Sequence, residues 1–257
     1  MKAFPFIDHR APGPSVERVR HELKLRSLRV ERIDRLTPAM VRITFLGEEL
    51  SDFVSLAPDD HVKIFVPMPS GESVRRDYTP RRYDARARTL VIDFAVHDAG
   101  PATRWALDAH PGDTLSIRGP KGSAVIGPEV RRWLLIGDET ALPAIGRRVE
   151  EAEKGTQITT IVSVAGPEEH QTFETAADLT TLWAHRPLPA GNDPSALLAM
   201  VETIVLEPET FVWIAAEADV ARAVRAYLLE KRGHARSWLK AGGYWVAGKA
   251  DTHERLE

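Results

Sequence analysis

The chain has 257 residues, a net charge of −3 and 43% hydrophobic residues, which predicts a globular protein of two domains. Its basic residues are dispersed, so nothing indicates nucleic acid as a partner. The absence of cysteine excludes disulfides, thiol catalysis and a cysteine-bound iron–sulfur cluster in this chain. Neither end carries an apolar run that predicts a signal peptide or a membrane span, so we expect a cytoplasmic protein.

Alternating apolar residues predict strands between about residues 28 and 118. The segments "MVRITF" and "TLVIDFAVH" each place their apolar side chains on one face, and turn signals such as "APDD" and "HPGD" separate the runs. Short strands at this spacing predict an antiparallel barrel or sandwich. One helix, over about residues 102–109, interrupts the strands.

Strand and helix patterns alternate from residue 131 onward. Strands are predicted at "RRWLLIGDE", "QITTIVSVAG", "TTLWAH" and "TFVWIAAE", and helices over residues 142–154, "PSALLAMVETIV" and "ADVARAVRAYLLEKRG". This alternation predicts βαβ units on a doubly wound parallel sheet. We place the domain boundary near residue 127: residues 1–24 are an N-terminal extension, residues 25–127 a β-barrel domain, and residues 128–257 an α/β domain.

The stretch "RRDYTPRRYD", residues 75–84, concentrates positive charge beside tyrosines. In an extended segment Arg76 and Tyr78 share a face, where a guanidinium can pair with a phosphate while a ring packs on a flat heterocycle. Thr79 adds a hydroxyl and a backbone N–H at the turn made by Pro80. A solvated basic edge strand is an alternative interpretation of this pattern.

The stretch "VHDAGPATRWALDAHPGD", residues 96–113, opens a helix with small residues. Free backbone N–H groups and the helix dipole at residues 100–103 suit a diphosphate, although an ordinary helix start has the same residues. A site for a flat ring and a site for a diphosphate together favour a flavin as the ligand.

The stretch "IGDETALPAI", residues 136–145, follows the first strand of the βαβ region and begins its first helix. A dinucleotide-binding domain receives its ligand at that place. The stretch lacks G-x-G-x-x-G, and Asp138 and Glu139 are poor neighbours for a diphosphate. Thr140 can cap the helix and hydrogen-bond a ligand, and a plain capped helix start is the alternative interpretation.

These stretches, with "GGYWVAGK" near the end, resemble the siderophore-interacting protein family, the FAD-dependent ferric-siderophore reductases of the ferredoxin–NADP reductase superfamily. The motifs occur in the family's order from about residue 25 to 250. The resemblance implies an antiparallel flavin-binding barrel followed by an NAD(P)H-binding-like parallel-sheet domain. Because the chain has no cysteine, the resemblance is to the branch without an iron–sulfur cluster.

The resemblance also implies roles for individual residues, with Tyr78 against the isoalloxazine ring and Arg76 on the phosphates. The implied cofactor-binding residues are Arg76, Tyr78, Thr79, Pro80, Phe94, His97, Gly100, Pro101, Ala102, Thr103, Asp138, Thr140, Ala141 and Trp245. The family usually has arginines after "GYW", where this chain reads "GYWVAGK". Lys249 is therefore the candidate substrate-facing charge in that segment, and Arg81 and Arg82 are expected to line a mouth for an anionic chelate.

The implied activity is reduction of ferric siderophores, with NAD(P)H or ferredoxin as electron donor and FAD as cofactor. Siderophores bind iron through hard oxygen donors. Reduction weakens this binding, because these donors bind iron(II) less tightly than iron(III). The alternatives are a flavin reductase with another acceptor, such as a quinone, and a non-catalytic siderophore-binding flavoprotein. The nine histidines show no close ligand spacing such as H-x-x-x-H, so we assign no metal site.

Two further expectations concern the α/β domain. The arginines at positions 147, 148, 186 and 222 are scattered candidates for binding a 2′-phosphate. The segment "LKAGGYWVAGK" is expected to return to the flavin face and shape the chelate pocket, with Gly242 and Gly243 permitting a tight backbone path. The alternative is that Tyr244 and Trp245 only anchor this segment in the core.

Overall fold

The computed structural model describes residues 12–68, 70–96, 100–249 and 254–256. The first part of the chain contains one helix, α1 (Pro101–Asp108), and the strands β1 (Val16–Arg20), β2 (Leu25–Thr37), β3 (Met40–Leu46), β4 (Val62–Pro67), β5 (Ser73–Tyr78), β6 (Arg82–Asp84), β7 (Thr89–Ala95), β8 (Thr114–Arg118) and β9 (Gly122–Ile126). A short 3-10 turn in this part of the chain spans Glu48–Leu50. Further 3-10 turns in the second part span Pro167–Glu169, Leu188–Ala190 and Arg236–Trp238.

Seven of these strands form one antiparallel sheet in the order β5-β4-β8-β2-β3-β7-β6. The sheet curls until β5 contacts β7, which confirms the predicted antiparallel barrel. Alternate residues point inward, so Ile43 and Phe45 of β3 pack with Ile92 and Phe94 of β7 in a fully buried core. Strand β1, within the predicted N-terminal extension, pairs with β9 in a separate two-stranded sheet.

The second part of the chain forms a six-stranded sheet in the order β12-β11-β10-β13-β14-β15. Its strands are β10 (Arg132–Asp138), β11 (Gln157–Val164), β12 (Asp178–His185), β13 (Thr210–Glu217), β14 (Leu239–Trp245) and β15 (Glu254–Leu256). Its helices are α2 (Leu142–Glu150), α3 (Ser195–Thr203) and α4 (Ala218–Ala226), and a π-helical turn, Tyr227–Lys231, continues α4. The first five strands are parallel, as the alternating pattern predicts.

Strands β11 and β12 lie on one side of β10, and strands β13 and β14 lie on the other. The topological switch point of the sheet is therefore between β10 and β13. Open α/β sheets bind ligands outside the carboxyl ends of their strands at such a point. The carboxyl ends of β10, β13 and β14 therefore form the edge at which a nucleotide is expected. Among the residues that the structure describes, no helix is both long and apolar enough to cross a membrane.

The segment "LKAGGYW" returns to the sheet as β14, parallel to β13. A Cβ atom at Gly243 would lie 2.8 Å from Cα of Ala218 at the start of α4, so only glycine permits this close approach. Tyr244 packs edge-on against Trp213, with ring centroids 6.0 Å apart. This ring anchors the segment, whereas Trp245 has a separate role at the sheet edge.

Helix α2 joins the two sheets. The buried guanidinium of Arg147 donates hydrogen bonds to Oγ and the carbonyl of Ser55, both 2.7 Å long, and to the carbonyl of Pro80, 3.2 Å long. Because these acceptors lie in the loop before β4 and in the turn after β5, one side chain fixes both segments against α2. The helix ends at Glu150 rather than at the predicted residue 154, since a turn through Gly155, with a positive φ of 83°, follows it.

A partly buried charge cluster forms a second link between the sheets. Asp59 accepts the indole N–H of Trp213 at 3.2 Å and pairs with Lys240 of β14. Burial opposes ionisation of Asp59, but the charge and hydrogen bond of Lys240, followed by the Trp213 N–H, lower the pKa of this carboxyl below its usual value. The cluster therefore holds an ionised carboxylate of the barrel loop against β13 and β14.

Candidate functional site

Tyr78, the last residue of β5, presents a half-buried aromatic ring. Its ring contacts that of Phe94 in β7, with centroids 4.6 Å apart and planes 40° apart. Phe94 is fully buried, so its side chain supports Tyr78 from within the barrel and does not itself reach a ligand. Burial raises the pKa of Tyr78, which keeps its phenol protonated at neutral pH.

Arg76 lies two residues before Tyr78 and shares its face of β5. Its Nη1 donates to the carbonyl of Arg75 at 2.7 Å. Within the described part of the chain no carboxylate forms an ion pair with Arg76, so its charge is available beside the ring. The next residue after Tyr78, Thr79, is buried, and Pro80 is held by Arg147.

Helix α1 packs against β4, β5 and β7. Gly100 caps the helix in an extended conformation, Pro101 occupies the first turn, and that turn contains no acidic residue. The side chains of Ala102 and Thr103 are buried, so these positions offer their backbone N–H groups to a ligand. His97 lies outside the described residues.

Asp138 organises the carboxyl edge of the second sheet. Its Oδ1 accepts the N–H and hydroxyl of Thr140 at 2.9 and 2.6 Å, and its Oδ2 accepts the N–H of Glu217 and the indole N–H of Trp245, both at 2.9 Å. Both carboxylate oxygens are therefore used within the protein. This residue ties the ends of β10, β13 and β14 together and holds the Trp245 ring there.

The other residues predicted for this edge are Thr140, Ala141 and Trp245, and each makes contacts within the protein. Thr140 does not cap α2, because its hydroxyl donates to Asp138 and the N-cap residue is Ala141, which is fully buried. Trp245 is half-buried, and its ring passes so close to Gly191 that a Cβ atom there would lie 2.6 Å from it. The structure thus brings Asp138, Thr140 and Trp245 together, as the sequence suggests for neighbours of one site.

A buried ion pair lies next to this edge. Arg186, just after β12, donates to Glu139 at 2.7 Å, and both side chains are buried. Burial, followed by the charge of Asp138, raises the pKa of Glu139, while Arg186 opposes that rise. Both residues are singled out in the sequence, but 47 positions separate them in the chain. Their ion pair therefore could not be predicted from the sequence.

The four arginines proposed for a 2′-phosphate all have protein contacts. Arg147 and Arg186 are buried in the contacts given above. The guanidinium of Arg148 lies over the Trp133 ring, 4.3 Å from its centroid, and Arg222 pairs with Asp219 and Glu254. The four side chains do not converge on one phosphate site.

The position of Arg81 contradicts the expectation that this residue lines a mouth for an anionic chelate. Its side chain is only 3% exposed, and its two terminal nitrogens donate to the Glu150 carboxylate of α2 at 2.8 and 2.5 Å. Helix α2 covers it so closely that a Cβ atom at Gly146 would lie 2.8 Å from Nη2 of Arg81. Arg81 therefore does not line an open mouth; its neighbour Arg82, 68% exposed, lies on the surface.

Lys249 follows β14 on the surface of the described structure. Its backbone N–H donates to the carbonyl of Val246 at 3.0 Å and closes a turn that contains Gly248, whose φ is 74°. The side chain is exposed. The turn therefore holds Lys249 on the surface just beyond the carboxyl end of β14.

Comparison with known families decides the identity of the two halves. The model of the siderophore-interacting FAD-binding domain matches residues 29–75 and 68–124, and the model named siderophore-interacting protein matches residues 130–248. The chain belongs to the siderophore-interacting protein family. The barrel is thus the FAD-binding half of a siderophore-interacting protein, as the motifs indicate.

Individual relatives agree with this assignment. The chain is 31% identical over 253 residues to the NADPH-dependent ferric-chelate reductase of Escherichia coli K12, with 90% of this chain and 96% of the relative covered. It is 27% identical to the ferric vibriobactin reductase ViuB of Vibrio cholerae, covering 82% and 85%. A crystal structure of a siderophore utilization protein from T. fusca has 37% identity, a TM-score of 0.85 and coverage of 93% and 98%.

More distant structures share only the fold. The ferredoxin reductase in carbazole 1,9a-dioxygenase is 16% identical with a TM-score of 0.63, covering 84% of this chain and 68% of that one. This likeness confirms the fold, an antiparallel barrel followed by a parallel sheet, which the resemblance to the ferredoxin–NADP reductase superfamily implies.

The residues of this siderophore-interacting protein fit FAD. A flat ring system needs an aromatic surface, which Tyr78 provides over Phe94. A diphosphate needs positive charge and free N–H donors; Arg76 on β5 carries the charge, and the start of α1, a helix that packs against β5, carries the donors. Among the described residues no side chain caps α1, so its first N–H groups remain available to a phosphate.

Proposed function

We propose that this protein is an FAD-dependent reductase that transfers electrons from NADPH to iron(III) chelated by a siderophore and so releases iron(II). One observation carries the proposal: Arg147 hydrogen-bonds to the barrel turn after Tyr78, and it belongs to α2, the helix that follows the sheet edge at Asp138. This link joins the barrel, which would hold the flavin, to the helix after the sheet edge at which the nucleotide would bind. The family match and the names of the relatives support the same activity.

The chain's own residues position the reactants and exclude water. Tyr78 would pack on the ring system, Arg76 would neutralise phosphate charge, and the N–H groups of residues 102 and 103 would bind the diphosphate. When bound, FAD supplies the conversion between two-electron chemistry with a nicotinamide and one-electron chemistry with iron. Trp245, held by Asp138, closes the site from the side of the second sheet. None of these roles requires a protein acid or base.

The partners and the setting follow from this proposal. The substrate is an anionic ferric siderophore, and NADPH is preferred as donor because the relative from Escherichia coli carries that donor in its name. Reduced ferredoxin is the alternative donor. We assign the reaction to the cytoplasm, where NADPH is regenerated, and the domains to residues 25–127 and 128–257, with the pairing of β1 and β9 attaching the N-terminal extension to the barrel.

The decisive experiment follows electrons through the purified, FAD-loaded protein without oxygen. NADPH should bleach the flavin absorbance, and a ferric siderophore should then restore it. Because NADPH donates two electrons and iron(III) accepts one, two iron(II) ions should be trapped by a ferrous indicator for each NADPH consumed. NADH and reduced ferredoxin, tested in parallel, identify the donor.

Each failure in this experiment has a distinct meaning. A flavin that is reduced by NADPH but not reoxidised by any ferric chelate indicates a different acceptor, such as a quinone. Reduction by ferredoxin alone removes NADPH from the proposal. A flavin that no donor reduces, in a protein that still binds the ferric chelate, indicates a non-catalytic carrier.

Replacing Tyr78 by alanine should weaken FAD retention by about 1–3 kcal/mol, the scale of a lost stacked ring or charged hydrogen bond. That corresponds to a rise in Kd of about 5- to 150-fold, measurable by equilibrium dialysis of the apoprotein. Arg76→Ala should have an effect of the same size through the phosphate. Tyr78→Phe, which keeps the ring, is the matched control, and equal affinity of the alanine and phenylalanine variants would remove Tyr78 from the site.

Replacing Lys249 by alanine should weaken binding of an anionic ferric chelate by about 1 kcal/mol or less, because the charge is exposed. The effect should be largest at low ionic strength, while flavin reduction by NADPH stays unchanged. Lys154→Ala is the control, because Lys154 is also exposed but lies before β11, at the opposite edge of the sheet. Equal chelate titrations for the two variants would exclude Lys249 from the substrate site.

A further inference from the structure

A buried carboxylate lies at the sheet edge at which the nucleotide is expected. Glu139 directly follows β10, at the carboxyl end of that strand, and it is only 7% exposed. Its Oε2 accepts one hydrogen bond from Nη2 of Arg186, 2.7 Å long. The other terminal nitrogen of Arg186, Nη1, is buried and has no hydrogen-bond partner among the described residues. The pair therefore lacks the second, parallel hydrogen bond of a bidentate arginine–carboxylate pair.

The preceding residue adds a second negative charge at the same place. Asp138 uses both carboxylate oxygens in four hydrogen bonds that hold the strand ends together. Burial, and then the charge of Asp138, raise the pKa of Glu139 to about 7, while the charge of Arg186 opposes this rise. Glu139 is therefore divided between its protonated and its ionised form at neutral pH.

The third carboxylate of this edge is occupied by backbone groups. Glu217, at the end of β13, is fully buried and accepts the N–H groups of residues 219, 220 and 247. The charged groups that act on Glu139 are Asp138 on its own strand and Arg186 after β12. Protonation of Glu139 therefore changes the charge of the edge without removing an acceptor from the strand ends.

From this cluster we infer that Glu139 takes up a proton when the pyridine nucleotide binds. The inference rests on the proposed function, in which NADPH binds at this edge. The phosphate groups of the nucleotide are anions, and a nearby like charge favours the neutral form of a carboxyl group. Protonation removes one of the negative charges that repel the phosphates. This coupling accounts for two adjacent acidic residues at a position where they are otherwise poor neighbours for a diphosphate.

The direction of the pH dependence follows from this coupling. The bound nucleotide raises the pKa of Glu139 above its value of about 7 in the free protein. The nucleotide therefore binds most tightly below pH 7, where Glu139 is already protonated, and its affinity falls as the pH rises from about 7 to the pKa in the complex. If binding raises this pKa by about 1, the total loss of affinity is about tenfold.

The test titrates the full-length, oxidised, FAD-loaded protein with NADP⁺ by calorimetry. At pH 7.5 the titration is carried out in HEPES and in Tris, whose heats of ionisation differ, so the two binding enthalpies together give the number of protons exchanged. The wild type should take up about 0.5 proton per NADP⁺ through Glu139 if its pKa rises by about 1. Its Kd should increase about sixfold between pH 6.5 and pH 8.5.

Glu139→Gln keeps an acceptor for Arg186 and removes the ionisable group. Its proton exchange should differ from that of the wild type by the same amount of about 0.5, because the ionisation of the nucleotide's own 2′-phosphate, near pH 6, is common to both. At pH 8.5 the variant should bind NADP⁺ about fivefold or more tightly than the wild type. The control is Glu207→Gln, which removes an exposed carboxylate before β13, at the opposite edge of the sheet, and should behave as the wild type.

The outcomes separate this inference from the proposed function. Unchanged circular dichroism and FAD content show that the variants are folded. Equal proton uptake in the wild type and Glu139→Gln overturns the inference and leaves the NADPH-dependent reductase in place. A wild-type Kd that stays constant between pH 6.5 and pH 8.5 does the same and needs no variant. If NADP⁺ binds to the wild type at none of these pH values, NADPH is not the donor, and the inference fails together with that part of the proposed function.

Discussion

Replacing Arg81 by alanine is expected to lower the free energy of unfolding by about 3–5 kcal/mol at most, because it removes the buried partner of Glu150 and leaves that carboxylate only the exposed Arg82. Arg81 donates two hydrogen bonds to Glu150 and lies 3.7 Å from Asp93. The lost contact also joins the barrel to α2, so the two sheets should separate more easily. Urea denaturation of the FAD-loaded protein measures the effect as a shift of the midpoint.

Arg82 provides a matched control within the same cluster. It pairs with the same carboxylate, Glu150, at 3.0 Å, but its side chain is 68% exposed. Exposed ion pairs contribute about 0–1 kcal/mol, so Arg82→Ala should change stability little. If Arg81 instead acts on the substrate, its alanine variant will unfold like the wild type and bind ferric chelate more weakly. That result would contradict the structural role.

The stability difference between wild type and Arg81→Ala should depend on pH. Partial burial opposes ionisation of Glu150, but the hydrogen bond and charge of Arg81, and then those of Arg82, lower the pKa of this carboxyl below its usual value. A group with a lowered folded-state pKa stabilises the fold above its unfolded pKa, about 4.3 for glutamate. The stability difference should therefore be full at pH 7 and shrink as the pH falls below that value.

Periodicity and turn signals suffice to predict both sheets, because alternation along a strand and α-helical spacing are properties of short segments. The predicted helix over residues 102–109 corresponds to α1, Pro101–Asp108. The weak strand signal "TTLWAH" belongs to the longer β12, Asp178–His185. The positions of Tyr78 and Asp138 at strand ends follow from the same local patterns.

Contacts between distant segments cannot be predicted in this way. In "RRDYTPRRYD" the arginines at positions 81 and 82 are chemically identical, and only the packing of α2 buries the first and exposes the second. The pairing of β14 with β13 also depends on Gly243 lying against Ala218. Such contacts arise from the arrangement of whole elements, so no local pattern encodes them.

Asp138 is the residue whose loss should most disturb the edge of the second sheet. Replacing it by alanine leaves the N–H of Glu217 and the indole N–H of Trp245 without their acceptor. The buried N–H of Glu217 should cost about 1–3 kcal/mol and the half-buried Trp245 donor less, so the variant should be destabilised by about 2–4 kcal/mol. Denaturant titration measures this cost. Release of the Trp245 ring should also slow flavin reduction by NADPH, because this ring closes the proposed site.

Asp193 offers a control with the same local geometry. Its Oδ1 accepts the N–H and hydroxyl of Ser195 at 2.9 and 2.6 Å, the same two distances that join Asp138 to Thr140. The Asp193 contacts are exposed and local, so Asp193→Ala should lower stability much less than Asp138→Ala does. The additional loss of stability in Asp138→Ala then measures the hydrogen bonds that Asp138 accepts from β13 and β14.

A double-mutant cycle isolates the tie to Trp245. If the hydrogen bond between Asp138 and Trp245 holds the C-terminal segment, Asp138→Ala and Trp245→Phe should couple by about 1–3 kcal/mol, because a carboxylate acceptor and a half-buried donor lose one shared bond. The cycle between Asp193→Ala and Trp245→Phe should give a much smaller coupling, because Asp193 reaches Trp245 only indirectly through the loop at Gly191. Additive effects in the first cycle would mean that Trp245 is not positioned by the carboxylate and that β14 is held by its other contacts, such as its pairing with β13.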